Sequence, residues 1–293
     1  MEWFNQFINA NVSYGKYLLK ELTFQTTPWY KNFIFYLIAL SLVVWLLEIL
    51  FPWRKNQKIF RKDFWLDTWY MFFNFFVFRF IVFAGLASLT YTSFSSLLNR
   101  DPEIISLFEL RVLPYWLQIV IFFIAMDFVQ WLVHNVLHRV PFLWNFHKVH
   151  HSVEEMGFAA HLRYHWMETV VYEPAKYIML LLIGGVSPSS IFWVYYINVA
   201  IGHLNHANLN LSYGPLKFIL NNPRMHIWHH AKDLPHSHPK GMNFGISLSI
   251  WDYIFGTNYQ PKDGRDIELG FDDLKKFPTS FFGQIIYPLN KKK

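Results

Sequence analysis

The chain has 293 residues, of which 53% are hydrophobic, 20% aromatic and only 16% charged, against roughly 25% charged in a soluble domain, so a membrane protein of one domain is the expectation. Cysteine is absent, which excludes thiolate ligation, iron–sulfur clusters and disulfides. The net charge of +6 gathers in Arg54, Lys55, Lys58, Arg61 and Lys62 and in Lys291, Lys292 and Lys293; these clusters flank apolar spans and argue for a cytoplasmic membrane face, not for nucleic acid.

In chain order, residues 1–32 are mixed and aromatic and show no removable signal peptide. Phe33 to Phe51 is apolar except at Ser41 and Glu48, close to the ~20 residues that cross a bilayer. After the basic loop 53–63, a second span is expected from about Phe64 to Leu89. It holds Asp67, Asn74 and Arg79, and ionisable groups in a span face the bundle or a wet cavity. Asp67, near the end, can also snorkel. Residues 91–112 read as a near-neutral loop with Arg100, Asp101, Glu103, Glu109 and Arg111. A third span runs from about Leu113 to Leu137. Two further apolar stretches, about 170–186 and 191–202, are parted by a turn from Gly184 to Ser190 and read as a helical hairpin. The expected fold is therefore all-α: three long spans plus a helical hairpin, with a cytoplasmic histidine-rich cap. The expected division is an N-terminal region 1–112, a central region 113–260 and a basic tail 261–293.

Histidine supplies the chemistry. His134 and His138 are spaced H-x3-H; His147, His150 and His151 are spaced H-x2-H-H, and so are His226, His229 and His230. An H-x3-H pair on a helix sets both imidazoles on one face, about 6 Å apart along the axis. In H-x2-H-H, the i and i+3 rings share a face and the third is a neighbour. A lone histidine is more often a satisfied core residue, but three clustered motifs are hard to explain by packing. Their eight imidazoles exceed the ~4 ligands that satisfy one zinc ion and suit two metals side by side. Zinc, copper, iron and nickel all suit imidazole.

Asp127, Trp131, His134 and His138 fall on one face of the third span. Asp127 either accepts a ligand imidazole N–H, fixing its tautomer, or makes a polar helix–helix contact. Glu154 and Glu155 follow the second motif, as a carboxylate bridge or as exposed loop charges. Counted from a cytoplasmic basic loop, the crossings bring all three motifs to one membrane face. Such a site at the mouth of an apolar bundle suits oxidation of a greasy substrate by iron and O2.

These residues carry a resemblance. Asp127 through His138, the His147–His151 triple, and His226-Ile-Trp-His229-His230 followed by Met242 through Thr257 resemble the fatty acid hydroxylase / sterol desaturase superfamily over about residues 120–260. Arg163-Tyr-His165-Trp-Met-Glu168 is similar to its Arg-x-His-Pro-x-Glu segment, with Trp166 in place of Pro. The resemblance implies a membrane non-haem di-iron oxygenase acting on lipids. It implies metal ligation by His134, His138, His147, His150, His151, His226, His229 and His230, with His203 and His206 as one or two further ligands. Asp127, His165 and Glu168 are the expected catalytic side chains, His165 as a further ligand or a support. His161 lies within reach but outside the family pattern; His236 and His238 are expected to face solvent. Trp251 to Thr257 is expected to close the cap. Two iron ions, replaceable by zinc on purification, O2 as co-substrate, and cytochrome b5 or ferredoxin with a reductase as electron donor complete the expectation. The membrane would be a bacterial inner membrane or the endoplasmic reticulum.

Hydroxylation of a lipid C–H bond is the leading reading. Desaturation at the same site is the first alternative. A membrane metal-binding or transport protein is the second, disfavoured because transporters place ligands near the bilayer midplane on broken helices.

Overall fold

A computed structural model describes residues 2–98, 107 and 109–289. Arg100, Asp101, Glu103, Lys291, Lys292, Lys293 and the side chain of Arg79 lie outside the described residues. The described chain is all-helical, with isolated β-bridges and no strand.

An N-terminal helix that composition did not announce, α1 (Glu2–Leu22), leads into α2 (Phe33–Leu50). Asn32 caps α2, its side chain accepting from Phe35 N at 2.9 Å and donating to the Glu21 carbonyl at 2.8 Å. The Glu21 carboxylate also accepts the Phe33 N–H. One face of α2 is buried through Phe33, Ile34, Leu37 and Val44; the other turns Ile38, Leu42, Val43 and Leu46 outward. Such an exposed apolar stripe suits lipid more than water.

The second expected span is two helices. α3 (Phe64–Phe72) runs through a π-helical turn (Phe73–Phe78) into α4 (Arg79–Leu98), which packs on α1. The polar residues in this stretch hold a neighbouring loop. Asp67 is fully buried and does not snorkel: it pairs with Arg61 at 2.5 Å and Arg163 at 3.0 Å. Asn74 Nδ2, on the π turn, donates to the Leu162 and Tyr164 carbonyls at 3.0 and 2.9 Å. Widened π turns recur where function constrains a helix, and here the turn aims Asn74 at the loop before Glu168.

Three helices form the centre. α5 (Tyr115–Arg139) packs against α7 (Trp166–Ile183) and α8 (Pro188–His206). The turn between α7 and α8 uses Gly184 at φ +65°, a backbone region that costs other residues energy. Pro141 opens the short α6 (Pro141–His151) directly after α5. Among the described residues, α2 and α5 are long and apolar enough to cross a membrane.

The remainder forms a cap: α9 (Pro223–His229), α10 (Ile250–Ile254) and α11 (Phe281–Ile285). Residues 261–289 pack back on it. Leu269 bridges Ala231, and Gly270 N donates to the His230 carbonyl at 3.0 Å. Below lies a core of Trp53, Val153, Met156, Ile227, Trp228 and Met242.

Candidate metal centre

Nine buried or nearly buried histidines from α5, α6, α8 and α9 gather into two groups. His134, His138, His147, His151 and His229 form one; His150, His206, His226 and His230 form the other, with the ligand atoms in each within 4.8 Å of one another. The groups are neighbours: the His151 and His230 rings, one from each, are 4.5 Å apart.

Helix geometry divides the triples differently from the expected sharing of a face by the i and i+3 rings. The i and i+4 rings (His147 with His151, His226 with His230) share a group, and the i+3 ring (His150, His229) serves the other. Successive residues turn by about 100° on a helix, so i+3 and i+4 diverge to opposite sides of residue i. Each triple thus ties the two groups together.

The outer ring nitrogens fix the tautomers. His134 Nδ1 donates to the Phe244 carbonyl at 2.8 Å and His229 Nδ1 to the Met242 carbonyl at 2.8 Å. His150 Nδ1 donates to the Arg163 carbonyl at 3.0 Å and His206 Nδ1 to the Gly202 carbonyl at 2.8 Å. Carbonyl oxygens only accept, so these four rings are protonated outward and present a bare Nε2 inward. His147 Nδ1 reaches Glu168 Oε2 at 2.9 Å. Gly202 has a second use: a Cβ there would collide with the His161 ring.

This arrangement tests the site for a metal. His150 Nε2 and His206 Nε2 face each other at 3.3 Å, and His134 Nε2 and His147 Nε2 at 3.1 Å. In the first pair both protons are committed outward, so two lone pairs meet with no hydrogen between them. His229 Nε2 is buried without a hydrogen-bond partner among the described residues. Inward lone pairs without a proton are what a cation between them satisfies, and the donor set fits metal ions. Burial, with mutual repulsion after it, pushes His147, His151, His226, His229 and His230 well below the ordinary imidazole range. Burial pushes His150 down to about 3. The rings are therefore neutral ligands at physiological pH.

Several expected site residues stand elsewhere. Asp127 serves no imidazole. Its carboxylate accepts from Ser247 N at 2.9 Å, Leu248 N at 3.1 Å and Trp251 Nε1 at 3.0 Å. Glu168 takes the role expected of Asp127, because the first turn of α7 points it at His147. Its other oxygen accepts from His165 N at 3.2 Å in a capping box. His165 lies in neither group: Nδ1 accepts from Met167 N at 3.1 Å, and Nε2 donates to the Ile285 carbonyl at 2.9 Å. His203 lies outside both groups, bonded to His161 at 2.9 Å and Ser41 at 3.1 Å, whereas His206 lies within. Glu154 and Glu155 bind Lys62 at the surface and do not bridge the groups. His236 is exposed.

Asp252 was missed. It accepts from Phe244 N, Gly245 N, Trp131 Nε1 and Thr257 Oγ1 at 2.9, 2.8, 3.0 and 2.6 Å. It thereby fixes the segment whose carbonyls orient His134 and His229. The closely spaced Trp251, Asp252 and Thr257 were its only sequence signal.

A cavity of ≈ 240 Å³ opens from the histidines between α5, α7 and α8. His134, His147, His150, His206 and His226 form its floor, and Phe122, Leu180 and Val194 line its distant part.

Comparison with known proteins agrees with this geometry. The family model for fatty acid hydroxylases matches residues 119–257. This segment resembles a fatty acid hydroxylase domain. It includes all nine grouped histidines, Glu168 and Asp252. Ornithine lipid hydroxylase OlsE of Rhizobium tropici is 31% identical over 179 residues, covering 61% of this chain and 52% of that protein. Alkylglycerol monooxygenase of Caenorhabditis elegans is 31% identical over 132 residues, covering 45% and 25%; that of Homo sapiens is 29% identical over 136 residues, covering 46% and 29%. The chain thus spans about half the length of the first relative and less of the others. No solved structure matches.

Proposed function

We propose that this chain is a membrane-embedded, O2-dependent hydroxylase of a lipid C–H bond, with two iron ions held by the nine grouped histidines. The observation that carries it is the contact of both all-imidazole groups with one largely apolar cavity. Iron bound there would supply O2 activation, with electrons from a separate carrier of the cytochrome b5 or ferredoxin type. The chain's own groups do the rest. His134, His150, His206 and His229 are locked in orientation by backbone carbonyls, and His147 by Glu168. The walls from α5, α7 and α8 exclude water and hold a lipid C–H bond against the histidine floor. Zinc can replace iron in purified protein.

The apolar outer faces of α2 and α5 support membrane insertion. We place the broken α3–α4 pair and the α7–α8 hairpin in the bilayer too, and the cap on the cytoplasmic side by its basic loop. Such a loop suits an acidic electron carrier.

The test is expression of the full chain and of His147→Ala in a host whose lipids are then extracted. A lipid that gains one oxygen with the wild type alone supports hydroxylation. Loss of two hydrogens without oxygen would make the enzyme a desaturase. No lipid change from an iron-loaded protein would overturn the proposal.

A further inference from the structure

The distant wall of the cavity is apolar, but a polar belt crosses it close to the histidines. Gln130 lies one turn from His134 on α5, ~6 Å of helix rise. It is 8% exposed, lines the cavity, and its Nε2 has no hydrogen-bond partner among the described residues. Asn205, 2% exposed, lines the same floor with Oδ1 likewise unpartnered. On α7, Glu173 and Lys176 line the cavity ~7 and ~12 Å beyond Glu168 by the same rise. Their charged atoms are 3.3 Å apart, on side chains 8% and 24% exposed. Lys176 Nζ also lies 5.5 Å from the centre of the Tyr172 ring. An ion pair midway along so apolar a helix is costly and has no packing need.

We propose that the cavity takes its lipid polar end first, and that Glu173 and Lys176 select a zwitterionic head; this rests on the lipid-oxidation reading above. The ammonium of the head meets Glu173 and its acidic group meets Lys176. An oxygen at the leading end of the head accepts from Gln130 Nε2. The hydrocarbon tail then runs toward Phe122, Leu180 and Val194, away from the histidines. The oxidised carbon consequently belongs to the head or to the first carbons of the chain, not to the tail end. Both amino-acid lipids and phosphoethanolamine lipids carry such a head.

Binding tests this without turnover. The purified full chain, zinc-loaded in detergent micelles, is titrated with Nα-palmitoyl ornithine, palmitoyl lysophosphatidylethanolamine, N-palmitoyl glycine and hexadecanol. At least one zwitterionic probe is expected to bind roughly tenfold or more tighter than the anionic glycine conjugate and the alcohol; which zwitterion does so separates the two sources. Glu173→Gln and Lys176→Met should erase that preference, and Lys176→Arg should keep it. If Lys176→Met fails to fold, the isosteric Glu173→Gln decides alone. Equal binding of all four probes, or an unchanged preference in Glu173→Gln, overturns the proposal. A chain that shows the preference but oxidises no lipid would sink the hydroxylase reading and leave this one. A chain that oxidises lipid yet binds all four probes alike would sink this one alone.

Discussion

His134, His147 and His229, in the group built on α5, each commit an outer nitrogen to a fixed acceptor: Phe244, Glu168 and Met242. In the other group His150 and His206 are anchored in the same way, but His226 and His230 have a buried Nδ1 with no partner among the described residues. That second group also gives more rings to the cavity floor: His150, His206 and His226, against His134 and His147. The difference teaches how labour is divided. The protein sets three of the first group's five rings before a metal arrives, while His138 and His151 meet only each other through their ring nitrogens; it sets two of the second group's four and leaves His226 and His230 to settle around the metal and whatever lies beside it.

Both groups share one vulnerability, which is acid. In the metal-free chain, burial holds His147, His151, His226, His229 and His230 well below the ordinary value of 6.5, and His150 at about 3. Below pH 6.5 the unfolded chain therefore takes protons that the folded chain refuses. Stability falls as the pH falls, by about 1.4 kcal/mol per pH unit for each such ring, until the folded rings titrate. Thermal midpoints of metal-free protein in detergent at pH 7.5 and 5 should show a steep drop. A flat profile would mean the rings are not buried together.

The next effect separates the groups. His147→Ala removes one of the five rings of the first group and should lower the metal bound there, leaving the second group loaded. Lipid oxidation should fall by at least ~100-fold, since both ions are needed. Full metal retention by elemental analysis would break the assignment of His147. Glu168→Gln is milder. It keeps the shape but weakens the hydrogen bond to His147 Nδ1, and should cost ~10–100-fold in affinity at the first group only. A chelator titration should then strip the first group before the second, reversing the order expected of the wild type.

Asp127→Asn tests a support remote from the metals. The amide loses one acceptor for Ser247, Leu248 and Trp251, at about 1–3 kcal/mol of stability. Metal content should be unchanged, while Asp252→Asn, which loosens the Phe244 segment, should also weaken the first group.

How much of this could be read from the chain follows from range. The H-x3-H and H-x2-H-H patterns are local, and helical periodicity makes them visible, so the histidine centre and the all-helical class were readable. The partners of those rings were not, because Phe244 and Met242 act through carbonyl oxygens that any residue type carries. Asp127 shared a helical face with His134, which suggested contact; instead the cap folds back over α5 and takes the carboxylate for its own backbone. The second span read as continuous because Phe64 to Leu89 is mostly apolar, with Asp67, Asn74 and Arg79 spaced along it, and nothing in composition marks the π turn at Phe73–Phe78. α1 was missed because its apolar residues are spread among polar ones.

The smallest effect is expected at His203, one turn before His206 on α8. Its ring is fully buried, yet its nitrogens reach His161 and Ser41 and neither metal group. His203→Gln can keep one of those hydrogen bonds and most of the volume, so it should cost about 1–2 kcal/mol of stability and leave both ions bound. His206→Gln, a turn away, should instead lower the metal content, because His206 Nε2 faces His150 and His226 at 3.3 and 3.0 Å. The pair isolates ligation from burial: the two histidines share a helix, a depth and a cavity-side neighbour in His161, and differ in whether a bare Nε2 looks into a group. Equal metal loss from both would bring His203 and His161 into the second group and remove its contrast with the first.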